Sequence, residues 1–553
     1  MLRSWSVANF KSVGETQTLQ LAPLTVIAGA NNSGKSALLQ SILLLAQTLR
    51  GPVDEPALAL DGELFRGGEA DEAIHFGQQT MSLGFEADVD LIGTGALAPS
   101  EGCIRGEIAF RLSGRTPAER RFVVSHLSLA VLDSEGQQVS TLAAARRSRG
   151  WAGKLGSAPP AWLRPNSLDY KAVGHGDRYP QATAVSLYHV FPQWVVTRRD
   201  ARYGRYRDLT RYILWRRSPV REDPSLVEDS LVLARAVLQD PELKSLDALT
   251  RQQRKKLQQE LQRVGLQAAV PRAAIPVLER FKGDYRWVRQ ALEPPLENGI
   301  ASFLTLARGV RHVGPLRIPP RFLYAPAPYV EENAVGSAGE FTVAELHRNR
   351  SVEVDSVNPQ SGAPERVRLE VAVVRWLSHM GILDRILTDR APKIGHYLYV
   401  MPPDLRRFVD LTSVGVGASQ VLPVLVQSLI APPRSILIFE QPELHLHPRL
   451  QGILADFLLG IAKTGKQLLV ETHSEHIINR IRLRIAEAEN SDIQSRVRVY
   501  FAERHGGESH FRPISINDYG TFEDWPEGFF DETVLESEQI LRSSLRKRSS
   551  NPK

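Results

Sequence analysis

Cysteine is almost missing from this chain: Cys103 is the single one in 553 residues. That excludes an intrachain disulfide and any zinc site built on several cysteines, and it fits a reducing compartment. No apolar run reaches membrane-spanning length without charges interrupting it, so no membrane partner is expected. The opening Met1-Leu2-Arg3-Ser4-Trp5-Ser6 lacks the apolar core of a secretion signal, and a cytoplasmic protein is the expectation. Nor does one sign of charge dominate. The net +6 is mild for this length; it permits a nucleic-acid partner without demanding one. What the chain does have is enough length and apolar content for two or three subdomains.

The most specific stretch is Gly29-Ala30-Asn31-Asn32-Ser33-Gly34-Lys35-Ser36, which has the spacing of a phosphate-binding loop. It sits between the β-branched run Leu24-Thr25-Val26-Ile27-Ala28 and a helical pattern of apolar residues from Ala37 to Leu49. The glycines let backbone N–H groups curl round phosphate oxygens, and the helix start adds the positive end of its dipole. Lys35 is then expected to reach the β- and γ-phosphates of ATP, with the Ser36 hydroxyl on Mg²⁺. Lys11, at the end of a first strand over Leu2 to Phe10, reads equally as aimed at the nucleotide or as an exposed strand-end lysine. From Met81 onward, short alternating runs suggest an antiparallel sheet.

The second informative region begins after residue 400. Ser413 to Gln420 is a small-residue loop opening a helix, a second potential phosphate cradle that includes Gly417, Ser419 and Gln420. Ser435 to Phe439 reads as a buried strand ending in Glu440-Gln441-Pro442-Glu443, where an acid would hold Mg²⁺ beside Ser36. A helix opens at Pro448, and a further strand, Gln467 to Val470, delivers Glu471-Thr472-His473-Ser474. Leu369 to Leu387 is expected as one amphipathic helix. Arg496 to Phe501 and Phe511 to Ile516 read as a hairpin about Arg504-His505-Gly506-Gly507, followed by a basic tail.

Phosphate loop, glycine-rich loop, acidic strand end and strand-end histidine, in that order, resemble the ABC-type ATPases, and within them the RecF/SMC/OLD-like branch. Glu440 lies 20 residues after Gln420, close to the family's spacing. The resemblance implies an α/β fold: an ABC-type ATPase head with a mixed sheet, split by a helical insertion. It makes Gly417 to Gln420 the signature loop, Glu440 the Mg²⁺ acid, His445 to Pro448 the D-loop region and His473 the switch histidine. On it, residues 1–140 form the first half of the head, 141–310 a largely helical arm or lid, 311–495 the second half, and 496–553 a hairpin and tail. Gly314-Pro315-Leu316-Arg317 and the tail from Asp518 to Phe530 look like a subgroup of predicted bacterial AAA ATPases with an uncharacterised C-terminal domain, members of which recur in antiphage defence.

Two positions depart from the family pattern. Gly-Ala-Ser-Gln replaces the usual Ser-Gly-Gly-Gln, which moves the signature serine to Ser419. Gln441 occupies the slot of the catalytic glutamate. Glutamine orients water but takes no proton, so turnover is expected to be slow unless Glu443 or Glu440 serves as base. A zinc cluster of His445, His447, His473 and His476 is not expected, because no HExxH spacing exists.

In the family that the chain resembles, each ATP lies between the phosphate loop of one subunit and the signature of another, so the resemblance implies a homodimer or higher homo-oligomer closed around ATP, a nucleotide-gated switch controlling a separate effector such as a nuclease. The alternative is a DNA-binding repair or recombination ATPase. Arg198 to Arg221, with its interspersed Tyr203, Tyr206, Tyr212 and Trp215, suits phosphates and stacked bases or, equally, a solvated helix covering its own apolar face. Leu226 to Arg263 is helical by period but interrupted by Pro241, far too short for a coiled-coil arm. The residues that follow His473 show no cluster of acids suited to a metal-dependent nuclease, so a self-contained nuclease is not expected.

Overall fold

The computed structural model describes residues 1–51, 57–91, 100–146, 170–173, 182–200, 209, 224–266, 285–327, 333–489, 491–523, 536, 539–544 and 546–547. The chain divides into two units: Met1–Thr141, Tyr188–Phe191 and Glu293–Lys553 form one, Leu142–Leu187 and Pro192–Leu292 the other. Most of the basic aromatic stretch 198–221, and the tail from 524 to 530, lie outside the described residues. No helix among the described residues is long and apolar enough to cross a membrane.

The second unit holds strands as well as helices. Trp194 to Asp200 pair antiparallel with Tyr285 to Ala291, and helices Pro224–Leu238 and Arg251–Leu266 pack Leu233, Leu238, Leu257 and Leu261 into a small apolar cluster. Pro241 falls in the break between those helices, as a residue without a backbone N–H should.

The first unit is an α/β structure with a mixed six-stranded sheet at its centre. Its order is an edge strand (Val310–Val313), an acid strand (Ile436–Glu440), a switch strand (Gln467–Thr472), a loop strand (Leu24–Gly29) and a hairpin (Val497–His505, Glu508–Ile514). The first five run parallel and the last returns antiparallel. The acid, switch and loop strands are buried at every residue, which explains their near-continuous apolar sequence. Register places Glu440 opposite Glu471, Thr472 opposite Ala28 and Ala502 opposite Gly29, so the carboxyl ends of these strands open on one edge of the sheet. In open α/β sheets that edge is where ligands bind.

A separate antiparallel sheet sets Leu2–Ala8 between Gln17–Gln20 and Thr80–Leu91, then continues through Ser100–Ser113 and Arg121–Asp133. The amphipathic helix expected to reach Leu387 ends at His379. Gly381 takes φ 71°, a left-handed turn natural to glycine, and Arg385–Ala391 then runs as a strand against Gly395–Met401. Residues 385 to 391 alternate exposed and buried positions for much of their length, a period of two that apolar content alone did not separate from a helix.

Helices Pro448–Ala462 and Glu475–Glu487 are clamped by Asp456, which accepts from Arg480 and Arg484, each at 2.7 Å. Burial opposes ionisation of this carboxyl, but the two guanidinium groups hold it below the usual carboxylate range. Asp456→Ala is therefore expected to destabilise this unit by about 1–3 kcal/mol, read as an earlier urea unfolding transition, because two arginines lose their shared acceptor.

Candidate functional site

The phosphate loop turns out of the loop strand at Gly29, with φ 147°, and into the helix Lys35–Arg50 at Gly34, with φ 93°. Lys35 is only 3% exposed. Its Nζ donates to the carbonyl oxygens of Gly29 at 3.1 Å and Ala30 at 2.6 Å, so the ammonium lies along the inner wall of the loop. Burial lowers its pKa, while Glu471 and Glu443 oppose the shift. Ser33 Oγ donates to the Ala30 carbonyl at 2.9 Å and stiffens the turn.

Around this loop lies a cavity of about 430 Å³. Asn31, Asn32, Gly34, Lys35 and Ser36 line it from the loop; Gln441 and His473 line it from the ends of the acid and switch strands. Lys11 also lines it, and donates to Gln40 Oε1 at 2.6 Å. Gly417, Ser419 and Gln420 are not among its lining residues.

The acids divide differently from the expectation. Ser36 Oγ donates to Glu471 Oε2 at 2.8 Å. Glu440 is bonded instead to His312 Nε2, at 2.8 Å through Oε1. The two carboxylates face one another across paired strands, which is why burial, and then the charge of Glu440, push the Glu471 carboxyl up to about 7 against the opposing pull of Ser36 and Lys35. Glu443 is buried, accepts from the His473 backbone N–H at 2.8 Å, and has its pKa raised by that burial. It thus holds the switch-strand end in place. The His473 imidazole has its own pKa lowered by burial and by the nearby Lys35 charge.

Gln441 adopts φ 46°, rare for a residue with a side chain, and its N–H donates to the Glu471 carbonyl at 2.8 Å. Arg317 fixes the other side of that turn: its Nη2 donates to the carbonyls of Glu440 at 3.0 Å and Gln441 at 3.1 Å, and its Nη1 to Gln420 at 3.3 Å. Burial pushes this guanidinium down to about 10, with Glu443 as the nearby countercharge.

The signature residues are placed unlike the sequence reading. Ser419 and Gln420 are 7% and 4% exposed, and Ser419 Oγ donates to the Val416 carbonyl of its own helix at 2.7 Å. The helix Val416–Ile430 buries both of them. What this helix offers outward is Ser413, Gly415 and Val416, at a start without a side-chain cap. His445 is exposed, and His447 Nδ1 accepts from the Arg449 N–H at 3.3 Å as a helix cap. Among the described residues no group of three or more His, Cys, Asp or Glu is arranged to hold a metal. Ser36 with Glu471, and Glu440 beside them, nonetheless supplies the hard oxygen set that suits Mg²⁺, which takes one or two carboxylates and completes its shell with phosphate and water.

Glu471, His312 and Arg317 were not singled out from sequence. Glu471 had a signal, an acid ending an apolar strand; Arg317 stood in the quoted Gly314-Pro315-Leu316-Arg317 with no role attached, and His312, 128 residues before Glu440, had none.

The Glu471 carboxyl gives a pH test. Its folded pKa of about 7 lies above the ordinary glutamate value, so between about pH 4.5 and 7 the folded state binds the extra proton and stability falls as pH rises. Glu471→Gln removes that loss. Its unfolding temperature relative to the parent is expected to be higher at pH 8 than at pH 5, by an amount worth about 2–3 kcal/mol.

Residues 407–478, which carry the signature helix, the acid strand and His473, match the AAA ATPase domain family. Residues 494–540 match a family described as Protein of unknown function (DUF3696). No curated protein matches the chain. Among solved structures, the chain is similar to an SMC head bound to the C-winged helix domain of ScpA, with 12% identity over 94% of this chain and 98% of that one and a TM-score of 0.32. It is similar also to the SMC head domain from Thermotoga maritima, at 10% identity over 93% and 99% with a TM-score of 0.29. A Pyrococcus furiosus Smc head with an extended coiled coil, bound to the C-terminal domain of ScpA, gives 12%, 98%, 99% and 0.33. Scores this low leave the argument to the chain's own geometry. Residues 407–478, over which the chain is similar to the AAA ATPase domain family, supply two strands, Ile436–Glu440 and Gln467–Thr472, of the mixed sheet.

Proposed function

We propose that this chain binds ATP with Mg²⁺ in the cavity at the phosphate loop, hydrolyses it slowly, and uses the nucleotide to join two copies into a switch acting on a separate effector. One observation carries the reading: Lys11, Lys35 and Arg504 face a single carboxylate, Glu471, round a glycine loop at the carboxyl ends of parallel strands. That balance suits a triphosphate. Bound Mg²⁺ would neutralise charge on the β- and γ-oxygens. Ser36 and Glu471 are the residues to hold it, with Glu440 behind them and oriented by His312.

Gln441 lines the cavity where an attacking water would be oriented, but its amide accepts no proton. Neither Glu440 nor Glu443 lines the cavity, and each is hydrogen-bonded through Oε1, to His312 and to the His473 N–H respectively. Slow turnover follows, and suits a switch whose nucleotide-bound state must persist. The joining surface in this reading is the exposed helix start at Gly415 and Val416, which has no side-chain cap and would meet the partner's triphosphate, with Ser419 buried in the same helix. The effector role in antiphage defence rests on the family resemblance, as does the alternative of a DNA-binding repair ATPase.

Isothermal titration with ATP, together with light scattering, tests the reading. The parent is expected to bind ATP and shift to a larger species, and Lys35→Ala to do neither. Gln441→Glu is expected to release phosphate at least about tenfold faster. A parent that binds ATP yet scatters as one species would sink the switch while leaving the site.

A further inference from the structure

One wall of the cavity is built by none of the phosphate loop, the acid strand or the switch strand. Arg504 stands there, near the end of the hairpin strand Val497–His505. That strand runs parallel to the loop strand with Ala502 opposite Gly29. Strand side chains alternate, so Ala502 and Arg504 share a face, and Arg504 lies two residues beyond the point where the loop strand turns into the phosphate loop.

The approach of hairpin to loop is close. A Cβ on Gly29 would lie 2.4 Å from the Ala502 carbonyl oxygen, and one on Gly34 would lie 2.0 Å from the Ser509 hydroxyl and 2.7 Å from that of Ser12. These two glycines thus answer to the hairpin as well as to phosphate. Ser509 is buried, and it donates through both its N–H and its hydroxyl to Ser12, each at 2.8 Å. The hairpin is thereby fastened to the strand-end loop that also carries Lys11.

Arg504 is itself oriented. Its Nε donates to the Gly507 carbonyl in the hairpin turn at 3.0 Å, and its two terminal nitrogens have no protein partner among the described residues. Such a fork, held at its base and open at its tip, has the geometry for paired phosphate oxygens, where Lys35 supplies a point charge.

From this we infer that Arg504 is a phosphate-binding residue of the nucleotide site, supplied by the C-terminal hairpin of the same chain. The inference rests on the reading of the cavity as an ATP site. It also gives a physical role to part of a segment matched only to a family of unknown function: residues 497–514 are the outer strands of the ATPase sheet and complete its cavity.

The test is ATP titration of the full chain as parent, Arg504→Ala, Arg504→Lys, His505→Ala and Lys35→Ala, with thermal unfolding of each. Arg504→Ala is expected to weaken ATP binding about tenfold or more at unchanged unfolding temperature, Arg504→Lys to recover part of it, and His505→Ala to match the parent. Parent-like affinity in Arg504→Ala, with binding still lost in Lys35→Ala, overturns the role of Arg504 and leaves the ATP site standing. An equal loss in His505→Ala also overturns it, since the hairpin rather than the guanidinium would then be at fault. A parent that binds no ATP removes the site and this inference together.

Discussion

The placement of the switch strand between the loop strand and the acid strand is the constraint on which the site depends. It sets Glu471 beside Ser36, a hydrogen bond spanning 435 residues of sequence, and sets Glu440 across from Glu471. Side chains alternate along a strand, so a slip of one residue would turn Glu471 to the opposite face and remove the one carboxylate that lines the cavity among the described residues. The six-residue strand has no exposed position, and its ladders with the acid strand on one edge and the loop strand on the other hold the register.

Burying acids at such a place is costly, and the surrounding contacts show how the cost is limited. His312 takes one oxygen of Glu440, Ser36 one of Glu471, and the His473 N–H one of Glu443. Arg317 adds positive charge near Glu443 while spending its own hydrogen bonds on three backbone carbonyls. That guanidinium is a strut between the first turns of the signature helix, at Gln420, and the strained turn at Gln441.

Much of this was legible in the chain. Gly29 to Ser36 between a β-branched run and a helical pattern gave strand, loop and helix together, because motif and periodicity agree there. The acid strand and switch strand were readable for the same reason, as short apolar runs with polar ends. Partnership across long sequence distances was not: nothing in Gly314-Pro315-Leu316-Arg317 announces three carbonyls a hundred residues later, and nothing in Val310 to Val313 announces that His312 will find Glu440. The helix expected to run to Leu387 failed on local chemistry, since Gly381 carries a left-handed turn. Ser419 and Gln420 misled differently. A motif fixes spacing along a helix but not its rotation, and rotation is set by the core the helix packs against.

The order of strands in the central sheet bears on how this protein is made. The loop strand, complete by residue 29, has as its two neighbours the strands at 467–472 and 497–505. During synthesis both its edges stay unpaired until residues 467–505 have left the ribosome, a long-range closure of the kind that folds slowly and leaves aggregation-prone edges exposed meanwhile. A product truncated before the hairpin would retain every recognisable nucleotide motif and still lack one side of the strand that carries the phosphate loop.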